Sequence, residues 1–152
     1  MDFKRAIAVI VTLMLLLGTV KVFGTYEGIS NIITTVSLNF NIDIPEPYRV
    51  EYNESNNAFL GEKYNFSKLN YDYEGVKRLE DFIEWKSGFI TEKEIEDILN
   101  ESSISEKTID TLKESLPAQE NIDKYFLVAE KKKALIMLYS KFNDMLYVYE
   151  VH

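Results

Sequence analysis

The 152-residue sequence has no cysteine, one histidine, three prolines and six glycines, and it is short of positive charge. Without cysteine there is no disulfide, no thiolate nucleophile, no zinc–thiolate site and no iron–sulfur cluster. The one histidine, His152, is the last residue, so histidine-based acid–base chemistry and multi-histidine metal binding have almost no material to work with. The glycines, at positions 18, 24, 28, 61, 75 and 88, are scattered and form neither a G-x-G-x-x-G turn nor a P-loop. Seventeen Lys and Arg against 25 Asp and Glu give a net charge of −8. That balance argues against nucleic acid and anionic lipid surfaces, both of which are bound chiefly by Lys and Arg on phosphate. No cofactor and no metal is expected.

What the chain does have is 46% hydrophobic and 13% aromatic residues, enough for one domain with a sizeable core. Its strongest single signal is at the start. Ala6 to Val20 are fifteen residues without a charge, directly preceded by Lys4 and Arg5. As a helix, Ala6 to Phe23 would span roughly 27 Å at about 1.5 Å per residue, just crossing a hydrocarbon layer of roughly 30 Å if Lys21 reaches toward the far interface. An uncleaved signal-anchor is the first reading; a cleaved signal peptide and a buried soluble helix are the alternatives. By the positive-inside rule Lys4 and Arg5 stay in the cytoplasm and the remainder lies outside. Setting aside Lys4, Arg5, Lys21 and Asp2 leaves 14 basic and 24 acidic residues beyond position 24, a net charge of −10.

Three regions follow: a signal-anchor over 1–24, a juxtamembrane helix and extended connector over 25–47, and an extracytoplasmic domain over 48–152. In the connector, Ile29, Ile32, Ile33 and Val36 have helical spacing, whereas Leu38, Phe40, Ile42 and Ile44 alternate as in a strand. Pro45-Glu46-Pro47 imposes extended backbone. Tyr48, Val50 and Tyr52 predict a strand; the Asn53 to Asn57 run predicts a turn, and Ala58 to Leu69 a second strand. Three helices follow. One covers about 73–85, with Val76, Leu79, Phe82 and Ile83 on one face and Gly88 as its cap. The next two open on the capping boxes Thr91/Glu94 and Ser103/Glu106. Tyr125 to Glu130, Ala134 to Lys141 and Leu146 to Val151 then predict an antiparallel meander. The expected fold is α+β: a sheet of about five strands, packed on one face against two or three helices.

Candidate chemistry is sparse. Tyr64 and Lys68 have the Y-x-x-x-K spacing of reductases but lack the dinucleotide fold, and read as a surface strand pair. Glu80 and Glu84, four apart on one helical face, could hold a hard cation or divide acid and nucleophile roles on a glycan; with 24 acids beyond residue 24, a solvated face is the simpler reading. No serine sits in a nucleophile motif. Tyr64, Phe66, Tyr71, Tyr73 and Trp85 could stack on sugars or fill contact hot spots; Phe66 and Trp85 read as core, and the tyrosines stay open.

The anchor, then Ile44-Pro45-Glu46-Pro47 leading into Val50-Glu51-Tyr52, Phe59-Leu60-Gly61-Glu62, and a closing Leu138-Tyr139-Ser140-Lys141, Asn143-Asp144 and Leu146-Tyr147-Val148-Tyr149-Glu150 resemble short exported proteins of unknown function from low-GC Gram-positive bacteria such as clostridia. The resemblance implies location and a small α+β fold and transfers no functional residue. The expected function is a non-catalytic protein-interaction module at the outer membrane face, recognising a basic partner, with Glu80, Glu84, Tyr71 and Tyr73 as candidate surface. The alternative is an envelope glycan-binding or glycan-hydrolysing domain using Asp and Glu.

Overall fold

The computed structural model describes residue 29 and residues 31–57, 63–88, 90–102 and 104–152. The Ala6–Phe23 segment, with Lys4, Arg5 and Lys21, lies outside the described residues. Among the described residues, no helix is long and apolar enough to cross a membrane.

The fold is α+β, with a sheet of six antiparallel strands among the described residues where about five were expected. Strands β1 (Arg49–Asn57) and β2 (Lys63–Asn70) form the first pair; β4 (Lys124–Glu130), β5 (Lys133–Ser140) and β6 (Met145–Val151) form the expected meander. A two-residue strand, β3 (Lys86–Ser87), pairs with β4. The spatial order is β1-β2-β6-β5-β4-β3, so β6 closes against β2 and joins the hairpin to the meander. The Asn-rich run expected as a turn is strand: Asn53 pairs with Ser67 and Asn57 with Lys63.

Helices cover both faces of the sheet, where one covered face was expected. The reason is visible in β5, whose residues 134–140 are all buried. Successive side chains of a strand point to opposite faces, so Ala134, Ile136 and Leu138 enter one core while Leu135, Met137 and Tyr139 enter another. On the first face lie α3 (Glu92–Glu101) and α4 (Glu106–Ser115), contributing Ile95, Leu99, Ile109 and Leu112. On the second lie α1 (helical at 29 and over 31–40) and α2 (Tyr73–Phe82), contributing Ile32, Val36, Phe40 and Leu79.

The segment read as a connector is therefore part of this body. Ile29, Ile32, Val36 and Phe40 are buried and spaced as one helical stripe. Phe40 belongs to that stripe and Leu38 points outward, 79% exposed, so the alternation expected at 38–40 gives way to one further helical turn. Asn41, at φ 53°, ends α1, and its N–H bonds the Ser37 carbonyl at 2.9 Å. The chain then returns extended, burying Ile44 in the same core.

Caps explain the other helix ends. Asp72 accepts the Gly75 N–H at 2.7 Å and starts α2. Ile83 turns extended (φ −131°, ψ 138°) and stops it three residues early, while Gly88, at φ 109°, follows β3 instead of capping the helix. The Thr91/Glu94 capping box is formed in full. In α4 the cap residue is Ser105 rather than Ser103; Ser103 lies outside the described residues.

Candidate interaction surface

The groove that gathers most of the candidate residues lies where the end of β2, the start of α2 and the β5–β6 turn meet. Tyr71 follows β2, and its N–H bonds the Asp144 carbonyl at 3.0 Å, fixing the turn against the chain entering α2. Gly75 lets α2 sit close: a Cβ there would fall 2.9 Å from the Tyr71 ring. The groove, about 420 Å³, is lined by Tyr71, Asp72, Tyr73, Val76, Lys77, Glu80, Tyr139, Lys141 and Asp144.

Its polar groups are mostly engaged. Glu80 Oε1 accepts from Lys124 Nζ at 2.8 Å; that bond, with the charges of Lys124 and Lys141, holds its carboxyl below the usual range. Burial first, then Asp144 and Glu80, push the Tyr139 hydroxyl up to about 12. Tyr71 is 2% exposed and donates to the Pro45 carbonyl at 2.9 Å; burial drives its hydroxyl pKa far up. At neutral pH both phenols are neutral.

The structure separates the four candidate surface residues. Tyr73 is 81% exposed and rims the groove. Tyr71 is a core residue whose edge lines the groove floor. Glu80 lines it too, but Glu84 lies beyond the end of α2, so the two carboxylates do not share a helical face. The pairing that would serve a cation or a glycosidic bond is therefore undone by the early helix stop at Ile83. Tyr64 and Lys68 lie on one face of β2 but about 13 Å apart, four residues at about 3.3 Å each. Tyr64 Oη instead meets Ser115 Oγ at 2.9 Å. Phe66 and Trp85 are placed as expected: Phe66 stacks on Tyr149 (centroids 4.6 Å apart), and Trp85 donates Nε1–H to the Leu79 carbonyl at 2.9 Å.

Two features escaped the sequence reading. Tyr48, expected on a strand with Val50 and Tyr52, precedes β1 and is 74% exposed, and Phe142, in the β5–β6 turn where no periodicity marks it, is 87% exposed. Glu150 is 2% exposed, on the β6 face that also carries Leu146 and Val148, and its Oε2 has no hydrogen-bond partner. Burial raises its carboxyl to about 7, with the Asn39 side chain bonded to it pulling the other way. Strict alternation along Leu146, Val148 and Glu150 was the available signal, since it puts the acid on a buried face.

No protein-family model matches the chain, and neither the curated proteins nor the solved structures searched contain a match.

Proposed function

We propose that the protein is a membrane-anchored extracytoplasmic module that acts by protein contact rather than catalysis. The anchoring part rests on the uncharged Ala6–Val20 run behind Lys4 and Arg5, which directs residues from about 25 onward to the outside. The contact part is carried by the groove between α2 and the β5–β6 turn, with Tyr73 exposed at its rim. Exposed aromatics beside a concave, charged surface are the material of contact hot spots. Three of the carboxylates have structural work. Glu80 binds Lys124, Glu94 caps α3, and Glu96 pairs with Lys113.

The excess of acid beyond residue 24 favours a basic partner, drawn in by long-range attraction. The test is crosslinking of the full chain in its native membrane at low and high salt. A discrete crosslinked protein that is lost at high salt and in a Tyr73→Ala, Glu80→Lys variant supports the reading; no crosslinked protein at low salt refutes it.

Glycan binding is a second reading, favoured by the tyrosines and carboxylates that share the groove. Chemical-shift changes confined to Tyr73, Lys77 and Lys141 on adding cell-wall glycan fragments would support it over the first.

A further inference from the structure

Among the described residues the exposed large apolar side chains are Leu38, Tyr48, Tyr73 and Phe142. Three of the four stand at one end of the sheet. Arg49 pairs with Asn70, and Met145 pairs with both Asn70 and Ser140, so residues 48, 71–73 and 141–144 all leave the sheet from one row. The bond between Tyr71 N–H and the Asp144 carbonyl ties two of these segments together. Leu38 belongs to the other end, beside Asn39, whose carbonyl faces Lys133 Nζ at the start of β5.

The beginning of α1 lies at the aromatic end. After Asn41 the chain doubles back beside α1, and Ser37 Oγ donates to Asp43 Oδ1 at 2.6 Å. Extended chain advances about 3.3 Å per residue against about 1.5 Å for a helix. Pro45, which meets Tyr71, is thus level with about residue 33, and Tyr48 has passed Ile29. The five residues 24–28 then join Ile29 to the apolar run that ends at Phe23, which at six steps of chain can lie at most about 20 Å away.

We propose that the end of the domain bearing Tyr48, Tyr73 and Phe142 rests in the headgroup zone of the bilayer that holds the N-terminal segment. This rests on the anchoring reading above. Tyrosine and phenylalanine side chains are favoured at the boundary between water and hydrocarbon, and three on a tethered body need no basic patch to hold it there. A net charge of −10 beyond residue 24 makes the contact apolar rather than electrostatic, so neutral phosphatidylcholine suffices. The groove of the proposed contact then lies at the membrane surface, so its partner meets it beside the bilayer at Lys77, Glu80 and Lys141, with Tyr73 on the lipid side.

The test uses the full chain in phosphatidylcholine nanodiscs containing nitroxide-labelled lipids. As the chain lacks cysteine, one fluorophore can be placed at a time through Glu74→Cys or Asn143→Cys beside the aromatics, Lys131→Cys in the β4–β5 turn, and Leu15→Cys in the apolar run. The expected result is several-fold stronger quenching by headgroup nitroxides at 74 and 143 than at 131, insensitive to salt and lost in the Tyr48→Ser, Tyr73→Ser, Phe142→Ser background. Mid-chain nitroxides should quench the label at 15. Equal quenching at 74, 143 and 131 while position 15 is quenched overturns this proposal and leaves the anchor standing. An unquenched label at 15 overturns both.

Discussion

On the α3–α4 face of the sheet the Tyr125 and Tyr149 hydroxyls are matched and a neutral hydroxyl, Ser140 Oγ, is buried without a partner, whereas the α1–α2 face buries a carboxyl with one oxygen unmatched. On the first face Tyr149 donates to the Ser115 carbonyl at 2.9 Å, and Tyr125 donates to Glu94 Oε1 at 3.0 Å. On the second, Glu150 lies beneath the end of α1 with Oε2 unpartnered. The two acids respond to pH in opposite senses. Glu94 is held below its ordinary value by the Thr91 N–H, then the Thr91 and Tyr125 hydroxyls, so its contribution is present near neutrality and lost on acidification. Glu150, raised to about 7 by burial, stabilises the fold below its unfolded value near 4.5 relative to higher pH, and that stability is lost as pH rises through about 7. One sheet thus carries a face suited to neutral pH and a face that is most stable when its carboxyl is protonated.

The sharpest way to break the matched face is at the ring stack. Phe66 lies on Tyr149 within the core shared with α3 and α4. Phe66→Ala should cost about 3–5 kcal/mol, the usual range for emptying a buried aromatic site. Urea unfolding followed by far-UV circular dichroism measures it, and a loss under about 1 kcal/mol would mean that this core is not the tighter of the two.

The unmatched face predicts a gain. Glu150→Gln removes the ionisation that burial opposes while keeping the side chain's size. From the ordinary value of 4.5 to about 7 the linkage amounts to about 3 kcal/mol at pH 8, and to little at pH 5. Unfolding free energies of the two proteins at pH 5 and pH 8 check the sign. Wild type should lose stability over this interval relative to the variant, and a variant less stable at pH 8 would show that Glu150 is satisfied as a carboxylate. His152 is held below its ordinary value by burial first and then by the charges of Lys63 and Lys133. A lowered histidine contributes in the opposite sense, so His152→Gln should leave the wild-type loss between pH 5 and 8 in place.

A smaller effect is expected at the groove. Gly75→Ala gains helix propensity of about 1 kcal/mol, but the new Cβ meets a Tyr71 ring pinned by its bond to Pro45. The crowding should outweigh the gain, leaving a net loss of about 1–2 kcal/mol by thermal unfolding. The loss should disappear in a Tyr71→Leu background, where the ring is gone, and a loss that persists there would place the conflict elsewhere.

How much of this was legible in the sequence differs between the faces. The Thr91/Glu94 box, the buried side of α3 and the C-terminal meander follow from local spacing, and local spacing is what built the α3–α4 face. The α1–α2 face was harder to read because its defining contacts are remote in sequence. Phe40 and Ile44 share a core with Leu135 and Leu146 about a hundred residues later, and nothing near them says that a helix beside an apolar leader is part of a core. Still, Ala134 to Tyr139 is six apolar residues in a row. A strand covered on one face alternates, and one covered on both does not, so β5 already carried the second layer. Of the candidate residues, Tyr71, Tyr73 and Glu80 line one groove, whereas Glu84 lies beyond α2 because the helix ends at Phe82, a stop that no local spacing announced.

The smallest predicted effect separates the faces most cleanly. In the α3 cap, Thr91 Oγ1 accepts the Glu94 N–H at 3.2 Å, while Glu94 Oε2 accepts the Thr91 N–H at 2.8 Å and its hydroxyl at 2.9 Å. Thr91→Ala removes the hydroxyl and leaves the backbone donor and Tyr125 in place, so Glu94 keeps two of its three partners. The expected cost is about 1 kcal/mol at pH 7, typical of a lost cap. Amide exchange should quicken in the first turn of α3, and the Glu94 carboxyl should titrate closer to its ordinary value, read by carbon-13 NMR. Glu150 sits across the sheet, packed under α1 rather than α3, so its titration should not move. A shift there on losing the Thr91 hydroxyl would mean that the two faces answer to pH as one body rather than separately.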